Sequence, residues 1–209
     1  MSPTLRKYPR TPHLPWSPGG GGDDVRLGHT PFDGRAVVVT EKMDGENTTL
    51  YRDACHARSV DGGSHPSRAW VRALQGRVGW QIPPGFRVCG ENLYARHSIG
   101  YEQLPSYFLV FSVWDGDTCL AWDETRAWCA ERGLHTVPEW WSGAWDERRV
   151  RALAPEANVA EGYVVRLAER FTFDAFDRSV AKWVRPDHVQ TDAHWMRQVV
   201  VPNRLRGGS

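Results

Sequence analysis

The segment Tyr107-Phe108-Leu109-Val110-Phe111-Ser112-Val113-Trp114 carries an apolar side chain at every position except Ser112. A strand points successive side chains to opposite faces, so a run apolar on both parities has to be covered on both sides. This run is therefore expected as a central strand of a sheet. The chain around it must supply further strands to flank it and helices or a second sheet to cover it.

Those elements can be read in outline. Val37, Val38 and Val39 give a β-branched run that predicts a strand over Ala36–Thr40, and Thr48–Arg52, Phe86–Tyr94, Gly162–Leu167 and Ser179–Val184 read as further strands. Trp70, Val71 and Leu74 fall on one face of a helix expected over Pro66–Arg77, with Ser64 or Ser67 as its cap. Trp122–Arg132, which stops before Gly133, and the shorter Asp146–Leu153 read as two more helices. Helices fall between groups of strands rather than alternating with them, which predicts an α+β fold with mainly antiparallel sheets.

Ahead of the first strand, Tyr8 to Asp24 holds Pro9, Pro12, Pro15 and Pro18 followed by Gly19 to Gly22, and is read as an N-terminal arm with a mobile loop. The expected organisation is that arm over residues 1–35 and a single domain over 36–209, with too few residues after the last strand for a second domain. A chain of 209 residues fits one generous domain that buries roughly 70% of its unfolded surface. Its 26 basic and 25 acidic residues nearly cancel, which excludes a global field for nucleic acid and leaves polynucleotide contact to local basic patches. Cys55, Cys89, Cys119 and Cys129 match neither a zinc knuckle nor a Cys-x-x-Cys redox pair, and the histidines His56, His65, His97, His135, His188 and His194 show no metal-ligand spacing. No signal peptide and no run near the ~20 apolar residues of a membrane span are visible, so a soluble cytoplasmic protein with no membrane contact is expected.

Chemistry points first to Glu41-Lys42-Met43-Asp44-Gly45-Glu46-Asn47, which directly follows the valine run. A lysine at a strand end can project into a cleft while a glycine lets the backbone turn beneath it. As a nucleophile it must shed a proton it normally holds to a pH of about 10.4, so desolvation or neighbouring cations must assist. Alone, Lys-x-Asp-Gly also fits a surface turn. Further segments follow it in order: His56-Ala57-Arg58-Ser59, Cys89-Gly90-Glu91-Asn92-Leu93-Tyr94, Phe108 to Asp115, Glu161-Gly162-Tyr163-Val164-Val165-Arg166 and Val180-Ala181-Lys182-Trp183-Val184-Arg185.

With these segments in this order, the sequence resembles the covalent nucleotidyltransferase superfamily of ATP-dependent RNA and DNA ligases, NAD-dependent DNA ligases and GTP-using capping enzymes. The resemblance covers Lys42 to Arg185, and Glu41, Lys42, Gly45 and Asn47 look most like the RNA-ligase form of the first motif. It implies a nucleotidyltransferase (ATP-grasp-like) domain of two antiparallel sheets flanked by helices, with the nucleotide in the groove between them. It also implies three reactions: Lys42 takes AMP from ATP as a phosphoramidate, AMP passes to an RNA 5′-phosphate, and a 3′-hydroxyl seals the strand.

By the same resemblance Glu41 lines the base pocket, Asp44 and Asn47 belong to the nucleotide site, and Arg58 contacts phosphate or ribose. Glu91 receives the ribose hydroxyls and Phe111 stacks on adenine, with Trp114 as the competing aromatic. Glu161 holds magnesium or manganese, directly or through water, and Lys182 contacts the α-phosphate. The family usually closes with Lys-x-Lys, but this sequence has Val180-x-Lys182-x-Val184 with Arg185 one position out of register, so Lys182 stands for either the first or the second lysine and Arg185 is the candidate for the other. Tyr94-Ala95-Arg96-His97 could extend the cleft, and Arg166 and Arg170 read as solvated side chains or a phosphate-tracking edge. RNA with a 5′-phosphate and a 3′-hydroxyl is the implied partner, together with an end-healing or RNA-binding protein, or the arm itself, to help grip it. A DNA ligase or GTP-using capping-type enzyme would share the lysine chemistry, and an inactive nucleotide- or RNA-binding module is the non-enzymatic alternative.

Overall fold

A computed structural model of the chain describes residues 4–19, 24–60, 65–155, 160–186 and 200–207. Gly20 to Gly22 of the expected loop, the candidate cap Ser64, and His188 and His194 lie outside these residues. Among the described residues eleven strands are formed: β1 (Ala36–Lys42), β2 (Glu46–Leu50), β3 (Cys55–Ala57), β4 (Phe86–Asn92), β5 (Phe108–Asp115), β6 (Thr118–Cys119), β7 (His135–Thr136), β8 (Glu139–Ala144), β9 (Gly162–Leu167), β10 (Phe171–Thr172) and β11 (Val180–Val184). Three α-helices accompany them, α1 (Ala69–Val78), α2 (Trp122–Glu131) and α3 (Glu147–Arg151).

The strands form two sheets, the α+β arrangement expected. One has four strands in the order β11-β9-β1-β8; the other has seven, in the order β10-β6-β5-β4-β2-β3 with β7 alongside β5. All pairings are antiparallel except β5 with β7. As its composition required, β5 is interior, with Phe108, Leu109, Val110, Val113 and Trp114 all buried. Val37 and Val39 of β1 meet Cys89, Trp114 and Cys119 of the opposing sheet in the core between the sheets. The outer face of the larger sheet is covered by Val71, Leu74 and Val78 of α1 and Cys129 of α2, packed on Leu50, Val88 and Val110.

Helix α1 is entered through a 3-10 turn at Pro66–Arg68, which is capped by His65, whose ring nitrogen accepts the Ser67 amide; α1 itself starts from Arg68 without a side-chain cap, so Ser67 caps neither. Strand β8 was not anticipated. Its sequence, Glu-Trp-Trp-Ser-Gly-Ala, lacks β-branched residues and forms a half-exposed edge held by pairing with β1.

The described part of the arm is not loose. Leu14 and His13 are buried, the Leu14 amide donates to the Lys182 carbonyl (2.8 Å), the Lys182 amide donates to the Pro12 carbonyl (2.9 Å), and the Gly19 amide donates to the Val184 carbonyl (3.0 Å). Prolines are tolerated here because the segment lies along a sheet edge, where only alternate amides are needed. At the other end, the Asn203 side chain donates to the Leu93 carbonyl (2.8 Å) and accepts the Tyr101 amide (2.9 Å), fastening residues 200–207 beneath the loop after β4.

Candidate active site

Strands β1 and β2 are consecutive but belong to different sheets, so Met43 to Gly45 carries the chain from one layer to the other. Lys42, the last residue of β1, stands opposite Gly162, the first of β9, which brings Glu161 beside it. Lys42 Nζ donates to Glu161 Oε2 at 2.6 Å, and the Glu161 side chain is only 2% exposed. Burial favours the neutral amine, but the charges of Glu161, Glu91 and Asp44 outweigh it and hold the Lys42 pKa above the ordinary lysine range. In this state Lys42 is an ammonium ion.

The opposing wall is built on cross-strand register. Asn47 of β2 pairs with Glu91 of β4, so their side chains lie next to each other on one face. Desolvation in the cleft is the main cause that pushes the Glu91 carboxyl up to about 8; Lys42 opposes it, and Glu161, Asp44 and Glu46 add to it. Asn47 Oδ1 is buried with no hydrogen-bond partner among the described residues. A buried amide oxygen in that condition invites a donor from a bound molecule.

Phe111 reaches the cleft through a backbone irregularity. Cys89 pairs with Ser112 and Gly90 with Val110, which leaves Phe111 as the extra residue of a bulge in β5. A bulge re-aims a side chain, and Phe111 lines the cleft while Trp114, fully buried, packs against Phe171, Phe173 and Phe176 instead.

One cavity of about 590 Å³ is lined by Glu41, Lys42, Asp44, Asn47, Arg58, Glu91, Phe111, Glu161 and Lys182, so all nine residues singled out in the sequence converge on one cleft. Its walls also include Arg68, Arg96, His97 and, from the N-terminal segment, Tyr8 and Thr11. The Glu41 carboxyl is held above its usual range by burial, partly offset by a hydrogen bond from Trp140.

Asp44 is anchored as well as present. Its Oδ2 accepts the Ser98 amide (2.8 Å), the Ser98 hydroxyl (2.7 Å) and the Ile99 amide (2.8 Å), and its own amide donates to the Tyr101 hydroxyl (2.9 Å). Asp44 thus ties the first motif to the loop after β4. Gly45 is required there by close approach rather than by a left-handed turn, because a Cβ would lie 2.6 Å from the Asn92 carbonyl oxygen.

Of the two outer arginines, one departs from expectation and one keeps the solvated reading. Arg166 is buried and donates to the carbonyls of Leu120 (2.7 Å), Leu167 (3.1 Å) and Phe111 (3.2 Å), so it braces the cleft wall and does not track solvent or phosphate along an edge. Arg170 is exposed and pairs with Glu124 at 2.5 Å.

Sequence reading missed the fork between Arg68 and Glu46, with contacts of 2.5, 2.8 and 3.0 Å, since the partners are far apart in the chain. It also missed Asp24, whose Oδ1 lies 3.6 Å from Lys182 Nζ. Burial, then the nearby charge of Lys42, lowers the Lys182 pKa against the pull of Asp24 and Glu161. Among the described residues no group of three or more His, Cys, Asp or Glu is arranged to hold a metal, and no helix is long and apolar enough to cross a membrane.

Comparison with known proteins gives a consistent picture. A family model described as RNA ligase matches residues 35–184. Solved structures of a Naegleria gruberi RNA ligase resemble the fold: a mutant with ATP and Mn aligns with a TM-score of 0.52 at 16% identity, covering 74% of this chain and 51% of that one. The same ligase with PPi gives 0.52 at 18%, covering 73% and 50%, and a mutant with AMP and Mn gives 0.51 at 16%, covering 74% and 51%. This chain therefore spans about half the length of those ligases. No curated protein matches it.

Proposed function

The chain belongs to the RNA ligase family, and from that premise we propose that it is an ATP-dependent RNA ligase in which Lys42 carries AMP between ATP and an RNA end. The observation that carries the reading is the convergence of Lys42, Glu161, Glu91, Phe111 and Lys182, drawn from both sheets, on one cleft. The similar Naegleria structures hold ATP, PPi or AMP: the reactant of such a first step, its leaving group, and the nucleotide that it transfers.

In that step Lys42 Nζ attacks the α-phosphorus of ATP, the bond to the bridging oxygen breaks, and pyrophosphate leaves. Splitting ligation in this way keeps the energy of ATP on the enzyme. Lys42 must first release a proton, and Glu161 Oε2 at 2.6 Å is the acceptor within reach. Glu91, with its raised pKa, can both accept from and donate to ribose hydroxyls. Phe111 offers a ring face to adenine and Glu41 borders the base. Arg58 supplies forked donors for phosphate, and Lys182 offsets negative charge that gathers on the α-phosphate.

The donor set also fits a hard divalent ion. Buried Glu161 faces Glu91 across the cleft, and magnesium or manganese completes its shell with phosphate oxygens and water rather than with a protein cage. Bound with the nucleotide, such an ion supplies charge neutralisation at the phosphates. AMP then moves to an RNA 5′-phosphate, freeing Lys42, and attack by a 3′-hydroxyl expels AMP and closes the strand.

Incubation with α-labelled ATP and magnesium or manganese tests the reading. Label is expected on the wild-type chain and not on Lys42→Ala, with transfer to 5′-phosphorylated RNA and sealing of RNA in preference to DNA. Label that survives on Lys42→Ala, or that comes from GTP alone, would overturn it.

A further inference from the structure

Lys182 is set into a network that the family resemblance does not explain. The N-terminal segment doubles back on itself beside β11: the His13 amide donates to the Val25 carbonyl (2.7 Å) and the Leu27 amide donates to the His13 carbonyl (2.8 Å). Because the Lys182 amide and carbonyl are bonded to Pro12 and Leu14, His13 sits directly alongside Lys182.

Its imidazole is 1% exposed. His13 Nδ1 lies 2.8 Å from Ser17 Oγ, and Nε2 lies 3.3 Å from Asp24 Oδ2. Ser17 Oγ accepts the Val184 amide (3.0 Å) and lies 3.5 Å from the Val184 carbonyl oxygen; the His13 tautomer that carries its proton on Nε2 directs it at the Asp24 carboxylate. The other carboxylate oxygen of Asp24 faces Lys182 Nζ at 3.6 Å. Serine, histidine, aspartate and lysine thus form one chain of contacts from a backbone amide of β11 to an amine in the cleft.

We propose that Asp24, steadied by His13, is a positioning residue that keeps the Lys182 amine directed at the phosphate region of the cleft. The proposal rests on the reading of Lys182 as a phosphate contact. Its physical basis is competition. Lys182 shares the cleft with Glu161, whose charge would draw its amine away from an incoming phosphate. A carboxylate from the arm pulls from another direction and limits the amine's search. With valines at both Val180 and Val184, the positions two residues either side, this amine has no twin along its face of the strand, so its orientation matters more. A long, flexible lysine stem costs rotamer freedom to order, and pre-ordering lowers that cost at the reacting geometry.

The test uses the full chain and two readouts. Acetylation of Lys182 by acetic anhydride, followed by mass spectrometry without nucleotide, reports the pairing itself. Asp24→Asn should raise the rate at Lys182 at least three-fold, with His13→Gln intermediate; an unchanged rate would mean that the pair does not exist in solution.

Single-turnover labelling with α-labelled ATP reports the consequence. The rate constant per labelled molecule should fall about tenfold in Asp24→Asn at saturating ATP, whereas loss of folded protein alone would lower only the amplitude. In Lys182→Met the further change Asp24→Asn should have no added effect, because the two act through one group. The same tenfold loss in the Lys182→Met background, or a wild-type rate in Asp24→Asn, would overturn the proposal. If Lys182→Met labels at the wild-type rate, the phosphate-contact reading is what fails, and the acetylation result still decides the pairing.

Discussion

Replacing Gly162 by alanine should damage fold and reaction together. Gly162 stands opposite Lys42 on one side and opposite Val184 on the other, at the point where β1 and β11 flank β9 beside Glu161. A Cβ at this position would lie 2.0 Å from the Trp183 carbonyl oxygen, 2.9 Å from its carbon and 3.1 Å from Val184 Cα. All three are backbone atoms, so no rotamer change relieves the clash. Reaching an ordinary contact of ~3.4 Å requires about 1.4 Å of separation between the strands, enough to break the adjoining ladder bonds. Loss of one or two such bonds at ~1 kcal/mol each, with overpacking of ~1–3 kcal/mol, gives a destabilisation of about 2–5 kcal/mol. Urea unfolding should show a lowered midpoint at an unchanged slope. Because Lys182 rides on the displaced strand, adenylylation of the folded fraction should slow by roughly 10²-fold, the scale of a 1 Å misplacement. A Gly162→Ala chain that unfolds at the wild-type midpoint and labels at the wild-type rate would refute the close-approach explanation.

Other outcomes follow from contacts described above. Asp44→Ala removes three hydrogen bonds to Ser98 and Ile99 and should cost about 2–4 kcal/mol; faster hydrogen exchange at the Ile99 amide is the local check. Arg68→Met leaves Glu46 uncompensated in the cleft and should destabilise by about 3 kcal/mol, most of it recovered when Glu46→Gln is added; a double-mutant cycle with no coupling would count against the fork. Burial, reinforced by Lys182, lowers the His13 pKa from 6.5 to about 4. Within that window the unfolded chain binds a proton that the folded chain refuses, so stability rises with pH through it and is lost on acidification, by at most ~1.4 kcal/mol per pH unit. His13→Gln should flatten that part of a stability-versus-pH curve, and a curve as steep as that of the wild type would exclude His13 as its source.

What could be read from the sequence tracks how local the controlling physics is. The two-sided apolar run of β5, the valines of β1 and the face of α1 are stated by their own residues, and each forms where expected. The site residues could be named only through the resemblance of their segments to the nucleotidyltransferase motifs, because no local pattern marks Glu91 or Phe111 as lining a cleft. What escaped depends on partners. β8 exists because β1 offers it an edge, the bulge that turns Phe111 inward is a property of a strand pair, and the arm is ordered by the edge of β11 rather than by its own composition. Arg166 looked polar and ends up buried because three carbonyls await it, a fact no neighbouring residue reveals.

The passage of the chain from β1 through Met43–Gly45 into β2 makes the lysine-bearing segment a splice between the two layers. It is one of four passages between the layers, with those from β7 to β8, from β9 to β10 and from β10 to β11, so the sheets are tied at several places around the groove and the lysine stands at one of these ties.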